Sequence, residues 1–180
     1  MKFTLRTLLA VCSLALAGTT LAEGKVVDPS TFVTTHISVT GAVEHSLNLS
    51  VDDLRKFPPQ QIGEVPLVCQ SGANMGKLEN FKGVLLRDIL DKAKVKAPAH
   101  NDVKKMAVIA SASDGYKVVF SWTEIFNSPN GEGVIVFFEK DGQPLTDDEG
   151  RIAMVSSKDT RTGPRHVKWL QGVEVRKIVE

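Results

Sequence analysis

Alternation of apolar and polar residues predicts a domain built mainly of β-strands. The predicted strands span residues 36–41, 47–49, 61–69, 106–110, 116–121, 134–138, 152–155 and 172–179. A period of two places one side of each strand against a core and the other in solvent. Ser113-Asp114-Gly115 and Lys140-Asp141-Gly142 supply turns between strands.

Short helices are predicted between the strands. Ser50 followed by Asp52 and Asp53 has the form of an N-cap with an acidic first turn. Further helices are predicted over residues 85–93 and 122–126, and the first of these has an apolar face formed by Leu86, Ile89, Leu90 and Ala93. Strands combined with a few short helices indicate an α+β fold with a mixed β-sheet. No internal linker is visible, so residues 36–180 are interpreted as a single domain.

The first 22 residues have the form of a secretory signal peptide. Lys2 and Arg6 precede an uncharged apolar run, and Thr20-Leu21-Ala22 ends in the small residue that signal peptidase sites carry. The run is shorter than the roughly 20 residues of a membrane-spanning helix, although a retained N-terminal anchor is the alternative. We expect cleavage after Ala22, export to the periplasm, a polar leader over residues 23–35 and no stable membrane insertion.

Composition limits the classes of function. The chain has 180 residues, 42% of them hydrophobic, and a formal charge of +1. That size supports one well-cored domain, and that charge gives no footprint for binding nucleic acid. Loss of residues 1–22 removes two bases and no acid, which changes the formal charge to −1.

Cys69 is the first candidate for chemistry. Cys12 leaves with the predicted signal peptide, so Cys69 is expected to be the lone thiol of an exported chain. Exported proteins usually pair their cysteines, so a single one is either buried and inert or retained for a function. A glycine-bearing stretch, Gln70-Ser71-Gly72 through Gly76, follows it and is predicted to be an irregular loop. Such a loop either brings backbone N–H groups to a ligand or is a plain surface turn.

A cationic stretch near the C-terminus is the second candidate. It comprises Lys158, Arg161, Arg165, His166 and Lys168. Arginine forks and lysine point charges suit phosphate and carboxylate groups. The alternative is a solvated loop, and the acids at 147–149 would neutralise part of the charge.

Five segments, in order, resemble the molybdopterin-binding domain of sulfite oxidases and related bacterial periplasmic reductases. They are Val65-Pro66-Leu67-Val68-Cys69, Gly83-Val84-Leu85-Leu86-Arg87-Asp88-Ile89-Leu90, Gly115-Tyr116, Asp141-Gly142-Gln143-Pro144-Leu145 and Gly163-Pro164-Arg165-His166-Val167-Lys168-Trp169-Leu170. The likeness runs from about His36 to Ile178 and implies that fold for the domain.

The resemblance also implies a site. Cys69 would be the molybdenum ligand if a metal is bound, and Tyr116 would face the substrate if the protein is an enzyme. Molybdopterin or a reduced pterin would be the cofactor. Its binding residues would be Cys69, Gln70, Ser71, Gly72, Tyr116, Arg161, Arg165, His166, Lys168 and Trp169. A thiolate is a soft ligand for such a metal, and an indole provides a flat wall for a pterin. Trp122 is expected to pack in the core.

The chain departs from the family where an oxidase binds its anionic substrate. Gln70, Ser71 and Gly72 stand where the oxidases have arginines, and residues 23–35 lack the family's arginine- and histidine-bearing segment. Met154 occupies the place of a substrate-side arginine, with Arg151 nearby. The family's C-terminal dimerisation domain has no counterpart, so a monomer is expected.

Two functions remain open at this point, besides a structural module with an empty pocket. The departures favour a periplasmic pterin-binding protein that acts through a partner. By resemblance to the family's pterin-binding regulators, the partner would be the periplasmic domain of a membrane GGDEF/EAL protein of cyclic-di-GMP turnover. The alternative is a small molybdenum oxidoreductase of the sulfite oxidase or sulfoxide reductase kind, with a redox partner subunit.

Overall fold

A computed structural model describes residues 27–179, so the predicted signal peptide and residues 23–26 of the predicted leader lie outside the described residues. In chain order the strands are β1 (His36–Gly41), β2 (Leu47–Ser50), β3 (Gln60–Val68), β4 (Asn74–Leu85), β5 (Met106–Ala112), β6 (Lys117–Ser121), β7 (Val134–Lys140), β8 (Gln143–Pro144), β9 (Ala153–Ser156), β10 (His166–Val167) and β11 (Leu170–Lys177). The helices are α1 (Val51–Leu54), α2 (Leu86–Ala93) and α3 (Trp122–Phe126), and short 3-10 turns lie at Pro29–Phe32, Asp102–Lys105, Pro129–Gly133 and Gly163–Arg165.

Within residues 27–179 the strands form two sheets. The first has the order β2-β1-β11-β5-β6, and the second has the order β10-β9-β7-β4-β3 with β8 paired to β7. The first sheet is mixed because β1 runs parallel to β11 while its other pairs are antiparallel. Sheets of this kind with a few short helices confirm the predicted α+β fold.

The side chains of alternate strand residues divide between two apolar clusters. Val134, Val136 and Phe138 of β7 belong to the main cluster, which includes residues of both sheets and the buried face of α2. Ile135 and Phe137 point to the other side of β7, into a smaller cluster. The main core therefore joins the two sheets.

The helices begin where the sequence predicted. Ser50 accepts a hydrogen bond from the Asp53 N–H at 3.2 Å, and the Asp53 carboxylate accepts from the Ser50 N–H at 3.2 Å. This reciprocal capping box ends the strand and starts the helix. Leu86, Ile89, Leu90 and Ala93 are all fully buried, which confirms the predicted apolar face of α2. Among residues 27–179 we find no helix with the length and apolar character that a membrane crossing requires.

The second half of the predicted loop after Cys69 is instead a strand. Residues 74–76 begin β4, and the turn itself shrinks to residues 69–73. The first part of β4 pairs only with β3, because pairing with β7 begins at Phe81. Most side chains between Phe81 and the tip of this hairpin arm are exposed. Lys77 forms ion pairs with Glu64 on β3 at 2.8 Å and with Glu79 on β4 at 2.6 Å. Residues 74–77 at the start of β4 are all exposed and lack the apolar alternation that predicts strands, so the pattern missed them.

Candidate functional site

Cys69 lies in the turn at the tip of the β3–β4 hairpin. Its N–H donates to the Ala73 carbonyl at 2.9 Å, and its own carbonyl accepts from the Gly72 N–H at 2.9 Å. Gly72 has a φ of +94°, a left-handed conformation that glycine adopts without strain. The turn holds the half-buried thiol of Cys69 at the end of a rigid arm.

The turn stabilises the thiolate form of Cys69. The Ser71 hydroxyl contributes most to a lowered pKa of this thiol, followed by the Ser71 N–H; partial burial opposes them, and the Gln70 N–H and the charge of Arg161 add smaller effects. The thiolate is the form that binds metals and attacks electrophiles. Gln70 and Ser71, both predicted as site residues, therefore act on the sulfur through hydrogen bonds.

The late cationic stretch packs against this hairpin through Thr162. The Val68 N–H donates to the Thr162 hydroxyl oxygen at 3.0 Å, and that hydroxyl donates to the Pro66 carbonyl at 2.5 Å. Gly163 approaches the same strand so closely that an added Cβ would lie 2.9 Å from the Val68 carbonyl oxygen. The structure thus brings Cys69 and the cationic stretch together, as the sequence interpretation required.

Thr162 is a site residue that the sequence interpretation missed. It is almost fully buried, at 3% exposure, and its hydroxyl satisfies two backbone groups of β3. A threonine among charged and glycine residues has the pattern of a surface loop. The nearest signal was its position directly before Gly163-Pro164, where the chain turns.

Arg161 is the member of the cationic stretch that lies beside the thiol turn. Its side chain is exposed, and a Cβ added to Gly72 would lie 3.1 Å from its Nη2 atom. Within residues 27–179 no carboxylate forms an ion pair with Arg161. Its guanidinium is available to an anionic group.

Arg165 is paired inside the protein. Its guanidinium donates to both Asp159 carboxylate oxygens at 2.6 and 2.5 Å, and a third nitrogen contacts Glu124 at 2.6 Å. The same group lies over the Phe120 ring, 4.4 Å from its centroid. These contacts tie the stretch to α3 and β6, so Arg165 as a pterin ligand stays a prediction and its observed contacts are structural.

His166 and Lys168 share one carboxylate, that of Glu149. The His166 Nε2 atom hydrogen-bonds Glu149, and the Lys168 Nζ atom lies 3.2 Å from its other oxygen. Burial works to raise the pKa of Glu149, but the hydrogen bond with His166 and the charge of Lys168 outweigh it and lower the pKa. The expected neutralisation by the acids at 147–149 is confirmed for Glu149. Lys158 is paired as well, with Glu132 at 3.0 Å.

Tyr116 and Trp169 line a hollow of about 180 Å³ on the neighbouring side of the cationic stretch. Its other lining residues are Asp114, Gly163, His166 and Lys168. The Tyr116 hydroxyl donates to the Pro164 carbonyl at 2.7 Å, which fixes the ring at the rim. Gly163 contributes both to this hollow and to the contact with β3 next to Cys69, whereas Cys69 and Arg161 are not among the residues that line the hollow.

Two other aromatic or apolar features lie elsewhere. Trp122 stacks on Phe126 with centroids 4.7 Å apart and packs against the main core, which confirms its predicted structural role. A larger hollow of about 340 Å³ lies over the smaller apolar cluster, near Phe81 and Leu145. It is lined by none of the predicted site residues.

The donor set fits a pterin and a soft metal. Within residues 27–179 no group of three or more His, Cys, Asp or Glu side chains is placed to hold a metal ion. Cys69 would be the protein ligand of a molybdenum centre, because a thiolate suits a soft or high-valent metal. Arg161 would meet an anionic group, and Trp169 would face a flat ring.

Comparison with known proteins finds the same domain. The family model described as oxidoreductase molybdopterin binding domain matches residues 24–179. Mitochondrial sulfite oxidase of Mus musculus is 30% identical over 168 residues, which cover 82% of this chain and 30% of that protein. The crystal structure of the sulfane dehydrogenase SoxCD from Paracoccus pantotrophus matches with a TM-score of 0.60 and 19% identity, over 84% of this chain and 39% of that chain. The chain thus spans about a third of the length of these relatives.

Proposed function

Since the chain belongs to the oxidoreductase molybdopterin binding domain family, we propose that it is a pterin-binding protein of the periplasm that acts through a partner. The partner we propose is the periplasmic domain of a membrane GGDEF/EAL protein that makes or degrades cyclic-di-GMP. In this proposal the chain binds a reduced pterin and turns over no substrate itself.

One observation carries this proposal, namely the internal pairing of the cationic stretch. Catalysis on an anion such as sulfite needs positive charge fixed beside the reacting atom. Here Arg165, His166 and Lys168 are bound by carboxylates of the same chain. Arg161 alone in this stretch is left beside the Cys69 turn, which suffices for one anionic or polar edge of a bound ligand.

The residues of the site suit a flat heterocycle of this kind. Trp169 and the 44%-exposed Tyr116 provide aromatic walls around the hollow. The exposed Arg161 guanidinium provides donors at the Cys69 turn, since no carboxylate of the described residues pairs with it. A pterin has both a flat ring and polar edges, so the aromatic walls suit its ring and the guanidinium suits one polar edge.

A molybdenum oxidoreductase is the second candidate, and the Cys69 turn favours it. A thiol whose pKa is lowered by its own turn is prepared to ligate a metal. The relatives named sulfite oxidase and sulfane dehydrogenase point to redox chemistry at this domain. Molybdenum, when bound, would supply that redox chemistry, while Cys69 would hold it and Tyr116 would stand at the substrate side.

Metal and pterin analysis of protein purified from the periplasm separates the two candidates. We expect pterin fluorescence after oxidation of the released ligand, molybdenum far below one atom per chain, and retained pterin affinity in Cys69→Ser. Stoichiometric molybdenum that disappears in Cys69→Ser, together with turnover of sulfite or a sulfoxide, would establish the enzyme instead. Lys77→Ala serves as the control, since it changes the same hairpin arm at an exposed ion pair and leaves the Cys69 turn intact.

The partner proposal has its own test. We expect the periplasmic domain of a GGDEF/EAL protein from the same genome to bind the pterin-loaded chain more tightly than the ligand-free chain, measured by calorimetry. Equal affinity for both forms would contradict regulation by the ligand. N-terminal sequencing of the same preparation checks export, because cleavage after Ala22 would leave Glu23 as the first residue.

A further inference from the structure

Trp169, the aromatic wall of the hollow, has an unusual backbone. Its φ is +48°, in the left-handed region, where a residue other than glycine is strained by about 1 kcal/mol. Such a conformation persists only where surrounding contacts determine it. The contacts that hold Trp169 therefore decide the orientation of the indole that faces a ligand.

Three hydrogen bonds hold Trp169 from the domain side. Its N–H donates to the Glu149 carbonyl at 3.1 Å, its carbonyl accepts from the Ser113 N–H at 3.1 Å, and its indole N–H donates to the Asp147 carbonyl at 2.7 Å. Gly150 allows the close approach, because a Cβ there would lie 2.8 Å from the indole Cδ1 atom. These bonds fix the backbone and one edge of the ring.

The ring is also contacted by the segment before β1, residues 27–35, which we call the strap. The Phe32 ring lies 5.4 Å from Trp169, tilted by 52°. The Ser113 hydroxyl donates to the Phe32 carbonyl, and the Thr34 hydroxyl donates to the Leu170 carbonyl at 2.8 Å. Ser113 thus bonds both Trp169 and the strap, and Thr34 bonds the residue next to Trp169.

We propose that the strap is a positioning element of the ligand site, with Phe32 setting the orientation of the Trp169 indole that lines the hollow. Phe32 itself is not among the residues that line the hollow, so it acts through Trp169. This inference rests on the proposed function insofar as the hollow binds a flat ligand. It makes a segment that precedes the first strand a determinant of ligand affinity.

Fluorescence of Trp169 tests the strap directly. The chain has two tryptophans, so Trp122→Phe leaves Trp169 as the only emitter. In that background we expect Phe32→Ala to increase acrylamide quenching of Trp169 and to weaken binding of dihydrobiopterin by about tenfold, the upper end for one aromatic pair. Phe32→Leu, which keeps an apolar contact, should restore part of both.

Phe57→Ala is the matched control. Phe57 is half-buried like Phe32, but it packs against the main core and contacts Lys92 rather than Trp169. Unchanged quenching in Phe32→Ala, or changed quenching with unchanged affinity, would overturn the positioning role.

If Phe32→Ala does not fold, Thr34→Val provides a second variant, because it removes the hydrogen bond from the strap to the Leu170 carbonyl. We expect the same increase in quenching and the same loss of affinity. Absence of dihydrobiopterin binding in the unmodified protein would overturn the proposed function. The quenching result would still show whether Phe32 positions the Trp169 indole.

Discussion

Two arginines of the late cationic stretch, Arg161 and Arg165, lie in opposite electrostatic settings. Arg165 is four-fifths buried and is held by two carboxylates. Arg161 is exposed, lies beside the thiol turn and has no carboxylate partner among residues 27–179. Two arginines four positions apart thus differ in role, since Arg165 is structural and Arg161 is a candidate for binding.

The role of each cation therefore depends on whether a carboxylate of the folded chain lies beside it. The carboxylates of Glu124 in α3 and of Asp159 bind Arg165. The carboxylate of Glu149 binds His166. Removing a paired, buried cation should cost stability, whereas removing an exposed one should change only recognition. This contrast can be tested by substitutions at Arg165 and at Arg161.

Arg165→Ala should have the largest effect. It would leave Asp159 and Glu124 partly buried without their cation, and we expect the free energy of unfolding to fall by about 3 kcal/mol. Urea denaturation measures this, with Arg161→Ala as the control at below about 0.5 kcal/mol. Equal losses in the two variants would contradict the contrast. Arg165→Lys should lie between them, because lysine cannot form the two-point contact with Asp159.

Glu149→Gln should have the next largest effect, and it should depend on pH. The pKa of Glu149 is lowered in the folded protein, so its contribution is fully present above the ordinary carboxyl pKa and is lost as the pH falls through the folded value. We expect Glu149→Gln to cost about 2 kcal/mol at pH 7.

The gap between Glu149→Gln and the unmodified protein should close as the pH falls below about 4. Thermal unfolding between pH 7 and pH 3.5 measures it. A gap that stays constant would show that the ionised carboxylate contributes nothing. Asp148→Gln is the control, because Asp148 is an exposed neighbour of Glu149.

Much of the fold could be predicted because its strands and helices carry local signals. The alternation in β1 and the cap at Ser50 are such signals, and both elements are present as predicted. The first half of β4 was missed because its exposed hairpin arm buries few residues and shows no alternation. The register between β3 and β4 depends on how the two strands pair, so the sequence of either strand alone does not predict it.

The sequence named candidate site residues, but it missed the buried Thr162 and could not give the contacts among them. That Cys69 and the cationic stretch meet depended on the resemblance, since nothing local joins them. The pairing of Arg165 with Glu124 depends on tertiary contacts between distant segments. Residue type alone could therefore not distinguish Arg165 from Arg161.

Ser71→Ala should slow the reaction of Cys69 at neutral pH. The Ser71 hydroxyl is the largest cause of the lowered thiol pKa, so its loss should raise that pKa and reduce the thiolate fraction. The pH dependence of alkylation by iodoacetamide measures the midpoint. We expect the midpoint to move to higher pH while the rate at its high-pH plateau stays the same. An unchanged midpoint would contradict the role of the turn.

Arg161→Gln should give the smallest effect, a change in preference between charged and neutral reagents. Iodoacetate and iodoacetamide attack the same thiolate and differ in charge, so their rate ratio at one pH is independent of the thiolate fraction. An exposed guanidinium beside the sulfur should favour the anion by up to about 1 kcal/mol, so we expect the ratio to fall about threefold in Arg161→Gln. Lys158→Gln should leave the ratio unchanged, because Lys158 is bound to Glu132. A fall in both variants would mean that the whole basic surface attracts the anion, and the distinction between Arg161 and the paired cations of the stretch would then not extend to recognition.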